Sequence, residues 1–114
     1  MPALIENIEI EQGATFQREY TVVEAKTGLP LVGFEDGEFS GMLRTLDGSL
    51  VATFDLNATG PKTCVAELTD IVTEGIPAEL DYTHKYDIKV KRIGGPTYRI
   101  AEGRASLSEQ QTYV

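Results

Sequence analysis

Hydrophobic and polar residues alternate with a period of two along most of this chain. A period of two places side chains on alternate faces of a β-strand, whereas an amphipathic helix repeats about every 3.6 residues. The alternation recurs in residues 8–11, 16–22, 63–68, 85–91 and 98–107. Short strands of this kind bury their apolar faces only against a second sheet. The pattern therefore predicts an all-β, antiparallel two-sheet sandwich of about seven or eight strands.

The clearest local signal is Leu46–Asp47–Gly48–Ser49, which lies between two apolar runs. Asp-Gly favours a two-residue hairpin turn, because both positions of that turn need positive φ. The expected pairs are Leu43–Ala52, Gly41–Phe54 and Phe39–Leu56 on the inner face, with Arg44–Val51 and Ser40–Asp55 on the outer face. This register places small residues opposite large ones in the core.

Large side chains occupy the inner positions of the predicted strands. The aromatic residues there are Phe16, Tyr20, Phe39, Phe54 and Tyr86, and the other inward residues include Leu43, Cys64, Ile88, Ala105 and Leu107. Arg18 falls on the same face, so its guanidinium either reaches the rim of the sandwich or pairs with an acid.

Two features interrupt the alternation. Asp70 could cap at most one short helical turn, which runs to Glu74 and ends at Gly75. Gly103 stands inside the last strand, which favours a β-bulge at that position.

The length and composition are those of one globular domain. The chain has 114 residues, of which 41% are hydrophobic and 25% are charged. We expect a single β-sandwich domain over residues 1–114, with a short N-terminal arm and a polar tail at Ser108–Gln111. Neither an export signal nor an apolar stretch of membrane-spanning length is recognisable, so we expect a soluble protein made in the cytoplasm. The single cysteine, Cys64, cannot form an internal disulfide, which favours a reducing compartment.

The charge is strongly acidic and unevenly distributed. The net charge is −8, which repels phosphate backbones and anionic lipid, so we expect neither nucleic acid nor a membrane as partner. Residues 85–104 nevertheless carry a net +4, which leaves −12 for the remainder. We predict a protein-docking surface on the strand from Tyr82 to Arg92 and on the strand after it. Its residues are Lys85, Lys89, Lys91, Arg92 and Arg99. Lysines that only protect sheet edges or maintain solubility are the alternative.

Candidate catalytic groups are few. His84 is the only histidine, so hydrolytic or metal sites that are built on several histidines cannot form within one chain. Glu35, Asp36 and Glu38, together with Asp55, are candidates for a glycosidase-type carboxylate pair or a calcium site. The first three lie in a Gly-flanked loop that lacks the spacing of a calcium loop. A solvated acidic turn is the favoured interpretation. We therefore expect no enzymatic activity, no cofactor, no metal ion and no small-molecule substrate.

Several phrases of the sequence follow one another in a characteristic order. They are Ile10–Phe16 leading to Tyr20–Val22, then Leu31–Phe34, Gly48–Phe54, Tyr86–Val90 and Tyr98–Ala105. Their order and spacing resemble small β-sandwich domains of tailed-bacteriophage virions, such as the N-terminal domain of baseplate upper proteins and related minor tail proteins. The resemblance extends over residues 5–112, almost the full chain.

This resemblance implies an immunoglobulin-like sandwich that is a structural or docking module without catalytic residues. It implies assembly in a virion with other virion proteins and with copies of the same chain. The fibre, coiled coil or receptor-binding domain of baseplate proteins has no counterpart here, which favours a small accessory, connector or decoration subunit. Its position in the tail, neck, baseplate or capsid stays open. The alternatives are a carbohydrate-binding or cell-surface adhesion module, because fold does not determine function, and then a small hydrolase.

Overall fold

The structure, a computed structural model, describes residues 4–24, 26–77 and 79–108. The described part contains nine strands and one short helix. They are β1 (Leu4–Ile5), β2 (Ile8–Glu11), β3 (Phe16–Thr21), β4 (Glu38–Thr45), β5 (Leu50–Thr53), β6 (Asp55–Ala58), β7 (Thr63–Leu68), α1 (Asp70–Glu74), β8 (Glu79–Lys91) and β9 (Thr97–Ser108). The start of the predicted N-terminal arm and the polar tail beyond Ser108 lie outside the described residues.

The strands form two sheets, which confirms the predicted all-β sandwich. The larger sheet has the order β1-β9-β8-β4-β5, with β2 also paired to β9, and the smaller has the order β3-β7-β6. One departure from the expected antiparallel pairing occurs, because β1 and β2 both run parallel to β9.

The β4–β5 hairpin has a different turn from the predicted one. Thr45 pairs with Ser49 through a 2.9 Å hydrogen bond, so three residues form the loop, and Gly48 has a positive φ of 99°. The extra loop residue places Arg44 opposite Leu50 and not Val51, and a bulge then restores the predicted Leu43–Ala52 pair.

The chain then changes sheets at Phe54. Its amide still donates to the Gly41 carbonyl at 2.9 Å, but β6 continues beside β7 in the smaller sheet. The predicted pairs Phe39–Leu56 and Ser40–Asp55 are therefore wrong. The continuous segment β5–β6 therefore contributes one strand to each sheet.

The core lies between the two sheets and contains the predicted inward residues. Leu43, Cys64 and Ile88 are fully buried, and Phe54 is 4% exposed. The Phe54 ring contacts Tyr86 at 6.2 Å between centroids, which joins the two layers. Phe16 and Phe39 are partly buried and pack against this core.

The short helix forms where the sequence predicts it, but its cap differs. The Thr69 hydroxyl accepts a hydrogen bond from the Val72 amide at 3.4 Å, so Thr69 is the N-cap and Asp70 is the first helical residue. Gly75 ends the helix as expected. Within the ranges that the structure describes, no helix has the length and apolar character needed to cross a membrane.

Arg18 links the two sheets of the sandwich. Its Nε and Nη2 atoms donate to the two carboxylate oxygens of Glu6 at 3.0 and 2.9 Å, and its guanidinium lies 5.0 Å from the centroid of the Tyr20 ring. This resolves the two possibilities for Arg18 in favour of pairing with an acid. The pair lowers the pKa of Glu6, chiefly through the hydrogen bonds from Arg18.

Gly103 does not form the predicted bulge. It pairs regularly with Tyr86, and the register of β8 and β9 shifts instead between Ile88 and Lys89. A Cβ atom at residue 103 would lie 2.0 Å from the Glu6 carbonyl oxygen. Glycine is required here because the β1–β2 connection crosses directly over β9.

Candidate docking surface

Charged side chains form cross-strand rows on the outer face of the larger sheet. Along β8 the even residues from His84 to Val90 are buried, so the odd residues from Lys85 to Lys91 point outward. The register of β4 and β9 against β8 gives each of them a neighbour on both sides. The row nearest the β4–β5 turn differs from the others, because all of its side chains are cations.

That row, here called the cation row, consists of Arg44, Lys85 and Arg104. Arg44 pairs with Lys85 across β4 and β8, and Lys85 pairs with Arg104 across β8 and β9. Neighbouring strands lie about 4.8 Å apart, and like charges directly opposite one another are destabilising. No carboxylate in the described residues forms a salt bridge with any member of the row.

The hydrogen bonds that Arg44 donates do not neutralise the charge of the cation row. Arg44 donates to the Gly48 carbonyl at 3.2 Å and to the Met42 sulfur at 2.8 Å, and both acceptors are neutral. Asp47 is the carboxylate whose charge acts on Lys85, but the hydroxyl of Thr45 and the amide of Ser49 bind it within the turn. Those hydrogen bonds, above all the one from Thr45, lower the pKa of Asp47.

The next two rows neutralise each other. Asp87 lies opposite Glu102, and each acid pairs with a cation of the following row. Lys89 lies 3.2 Å from Asp87, and Arg99 lies 2.8 Å from Glu102. These two lysine and arginine side chains are therefore less available to an incoming partner than the cation row.

A shallow groove follows the cation row. Its volume is about 460 Å³, and all three cations line it together with Arg99. Two acids, Asp87 and Glu102, line it as well, and each forms a salt bridge with a cation outside the row. Met42 and Ile5 supply apolar surface at its sides, and Ile5 is 76% exposed. The groove thus offers an array of cations beside an uncovered apolar side chain, which is the composition of a surface that binds an acidic protein segment.

The structure brings most of the predicted docking residues to one face. Lys85, Lys89 and Lys91 share the outer face of β8, and the β8–β9 bulge places Arg99 beside Lys89. Arg92 does not join them. Its guanidinium donates to the carbonyls of Pro96 and Val32 at 3.2 Å each, and so ties the β8–β9 turn to the loop before β4.

Two members of the cation row, Arg44 and Arg104, are not among the docking residues that the sequence predicts. Arg44 has the outward parity in the predicted hairpin, but nothing in the sequence shows that β4 lies next to β8. Arg104 lies within the basic stretch, and its place opposite Lys85 depends on the register of β9. The signal that was available was the outward parity of both residues in their own strands.

The remaining candidate groups are separated. His84 is 6% exposed, and its Nδ1 atom lies 3.3 Å from the Thr83 hydroxyl. Glu35 and Asp36 are exposed in the loop before β4, whereas Asp55 belongs to the smaller sheet. Among residues 4–24, 26–77 and 79–108, no three His, Cys, Asp or Glu side chains are arranged to hold a metal ion.

The outer face of the smaller sheet carries the opposite charge. Asp55 lies opposite Glu67 across β6 and β7, and Glu19 is exposed on the neighbouring strand β3. We call these three residues the acidic face. Gln17 donates to Glu67 at 3.2 Å, and no lysine or arginine occupies an outward position on the described residues of these strands. A depression of about 430 Å³ lies along Asp55 and Glu67, with Leu56 among its lining residues.

No protein-family model matches the chain, and neither does any curated protein. The two oppositely charged sheet faces are therefore the features that indicate a function.

Proposed function

We propose that this protein is a non-enzymatic docking module that binds acidic protein surfaces through the outer face of its larger sheet. The cation row of Arg44, Lys85 and Arg104 is the observation that carries the proposal. Following the resemblance in the sequence, we further propose that the module is a structural component of a tailed-phage virion, present in multiple copies.

Repulsion within the cation row destabilises the free chain, and a bound partner can remove this destabilisation. Each like-charged pair directly opposite in a sheet destabilises by roughly 0.2–1 kcal/mol. Partner carboxylates that enter the groove would replace this repulsion by attraction, because each one would lie close to two cations. The neighbouring apolar side chains of Ile5 and Met42 would be covered in the same contact.

The acidity of the whole chain is compatible with this contact. At 0.15 M salt the Debye length is about 8 Å, whereas the molecule measures 48 × 31 × 20 Å. A partner at the cation row therefore experiences mainly the local positive charge and not the net charge of −8. Protein carboxylates fit this local field, and an extended nucleic acid would also meet the acidic remainder of the surface.

The substitution Lys85→Glu tests the docking face, because Lys85 stands between the other two cations. The change places a carboxylate between Arg44 and Arg104, so we expect the free chain to be slightly more stable, by roughly 0.5–1 kcal/mol. We expect binding to the acidic polymer poly-L-glutamate at 0.15 M salt to weaken at least tenfold. Fluorescence anisotropy measures the binding, and urea unfolding measures the stability.

Lys62→Glu is the matched control, since Lys62 is exposed in the turn before β7 and carries the same charge. It should bind poly-L-glutamate nearly as well as the wild-type chain. Equal losses in Lys85→Glu and Lys62→Glu would show that only net charge matters. Absence of binding by the wild-type chain would also contradict the docking role.

The virion assignment has its own test. Purified particles of the phage that encodes this chain should contain it in multiple copies, which quantitative mass spectrometry can count. Particles that lack the chain would contradict the assignment, while the poly-L-glutamate experiment would still decide the docking face.

A further inference from the structure

We infer that the partner of the cation row is the acidic face of a second copy of this chain, so that copies stack head to tail. The inference rests on the proposed docking role of the larger sheet and names its partner. Asp55 and Glu67 in one copy would face Lys85 and Arg104 in the next.

The two faces match in spacing as well as in sign. Asp55 and Glu67 are directly opposite across neighbouring strands, as are Lys85 and Arg104. Both pairs therefore have the same separation, which is the distance of about 4.8 Å between strands. Two adjacent carboxylates can thus meet two adjacent cations without any change in either backbone.

Each face also carries, in the isolated chain, a like-charged pair that has no salt bridge. Within the described residues, Asp55 and Glu67 form no salt bridge, as is true of the cation row. Stacking would relieve both repulsions in a single contact. Apolar atoms are available on both sides, from Ile5 and Met42 in the groove and from Leu56 at the acidic depression.

The geometry of the sandwich makes this contact heterologous. The cation row and the acidic face belong to different sheets and point away from each other on opposite sides of the core. A copy that uses one face keeps the other free, so the same contact can repeat. Such an interface closes into a ring if the rotation between copies permits it, and otherwise continues as a filament.

The net charge of −8 gives the stacking a distinctive salt dependence. At 0.01 M salt the Debye length is about 30 Å, so repulsion between whole molecules opposes association. At 0.15 M salt it is about 8 Å, and the complementary faces dominate. At 1 M salt it is about 3 Å, and the contact itself is screened. Association should therefore be strongest at intermediate salt.

Complementary charge reversal provides the decisive experiment. One variant, Lys85→Glu/Arg104→Glu, makes both faces acidic, and the other, Asp55→Lys/Glu67→Lys, makes both faces basic. Sedimentation velocity at 0.15 M salt should show concentration-dependent association of the wild-type chain. Each variant alone should associate at least tenfold more weakly, because its two faces now repel.

An equimolar mixture of the two variants should recover association. Every contact in an alternating stack of the two pairs an acidic face with a basic one, although neither variant can stack with itself. Two matched controls, Lys26→Glu/Lys62→Glu and Glu24→Lys/Glu35→Lys, change charge by the same amounts at exposed positions outside both faces. They should associate like the wild-type chain.

The outcomes separate this inference from the proposed function. If Asp55→Lys/Glu67→Lys associates like the wild-type chain, or if the mixture does not associate, self-stacking is wrong. The docking role survives that result as long as Lys85→Glu still loses poly-L-glutamate binding. If the wild-type chain stays monomeric at all three salt concentrations, the inference is also overturned.

Circular dichroism checks that each variant is folded. If a reversal prevents folding, the neutral variants Lys85→Gln/Arg104→Gln and Asp55→Asn/Glu67→Gln replace it. Each neutral variant should then self-associate more weakly than the wild-type chain, and self-association equal to that of the wild-type chain in both variants would contradict the inference.

Discussion

Replacing Gly103 by alanine should destabilise the sandwich through a single steric contact. The added Cβ would lie 2.0 Å from the Glu6 carbonyl oxygen and 2.8 Å from the Glu6 carbonyl carbon. Both are backbone atoms, so no side-chain rotation can relieve the overlap. The β1–β2 connection would have to move away from β9, and the contacts that Glu6 makes would move with it.

The magnitude follows from the contacts that this movement breaks. The Tyr86 hydroxyl donates to the Glu6 carbonyl at 2.6 Å, and the Glu6 amide donates to the Glu102 carbonyl at 3.0 Å. Each hydrogen bond contributes about 1 kcal/mol, and Tyr86 is only 3% exposed, so its orphaned hydroxyl adds a further penalty. We expect Gly103→Ala to lower the free energy of unfolding by about 2–4 kcal/mol.

Urea unfolding at pH 7 measures this loss, with Gly75→Ala as the matched control. A Cβ at Gly75 meets nothing closer than 3.6 Å, so alanine there should change stability by less than about 1 kcal/mol. If the strain acts through the Glu6 carbonyl, Tyr86→Phe should be less destabilising in the Gly103→Ala background than in the wild-type chain. Equal stability of the two alanine variants would refute the reasoning.

Two further predictions concern titratable side chains. Glu6→Gln should reduce stability by about 0.5–1 kcal/mol at pH 7, because the bridge to Arg18 is half-exposed. Folding lowers the pKa of Glu6 from 4.5, so the stabilisation by its carboxylate is present above that pH and is lost as the pH falls. The free energies of unfolding of the two chains, measured in urea, should therefore converge in acid. A difference that does not change with pH would contradict this. Burial raises the pKa of the Cys64 thiol to about 11. Iodoacetamide at pH 8 should therefore label Cys64 at least about 100-fold more slowly in the native chain than in urea. Equal labelling rates would show that Cys64 is accessible.

The alternation of side chains was sufficient to predict the layers and most of the core. Leu43, Cys64 and Ile88 are buried as their parity requires, because a side chain in a strand can point only to one face or the other. The same rule placed Lys85 and Lys89 on an outer face. Parity is a local property, and a single sequence contains it in full.

Parity does not determine which strands are neighbours. The chain leaves the larger sheet at Phe54, and a three-residue loop replaces the expected two-residue turn. The change of sheet depends on contacts with distant strands, since a segment of alternating residues can pair with either sheet without changing its pattern. The predicted pairs beyond Phe54 failed for this reason.

The candidate site illustrates the same division. The sequence by itself determined that basic residues lie outward on β8 and that the remainder of the chain is acidic. Only the tertiary structure aligned Arg44, Lys85 and Arg104 in one row, diverted Arg92 to backbone carbonyls, and placed an acidic pair on the opposite sheet. The row joins β4 to the consecutive strands β8 and β9, and the placement of β4 beside β8 is fixed by the packing of the whole core.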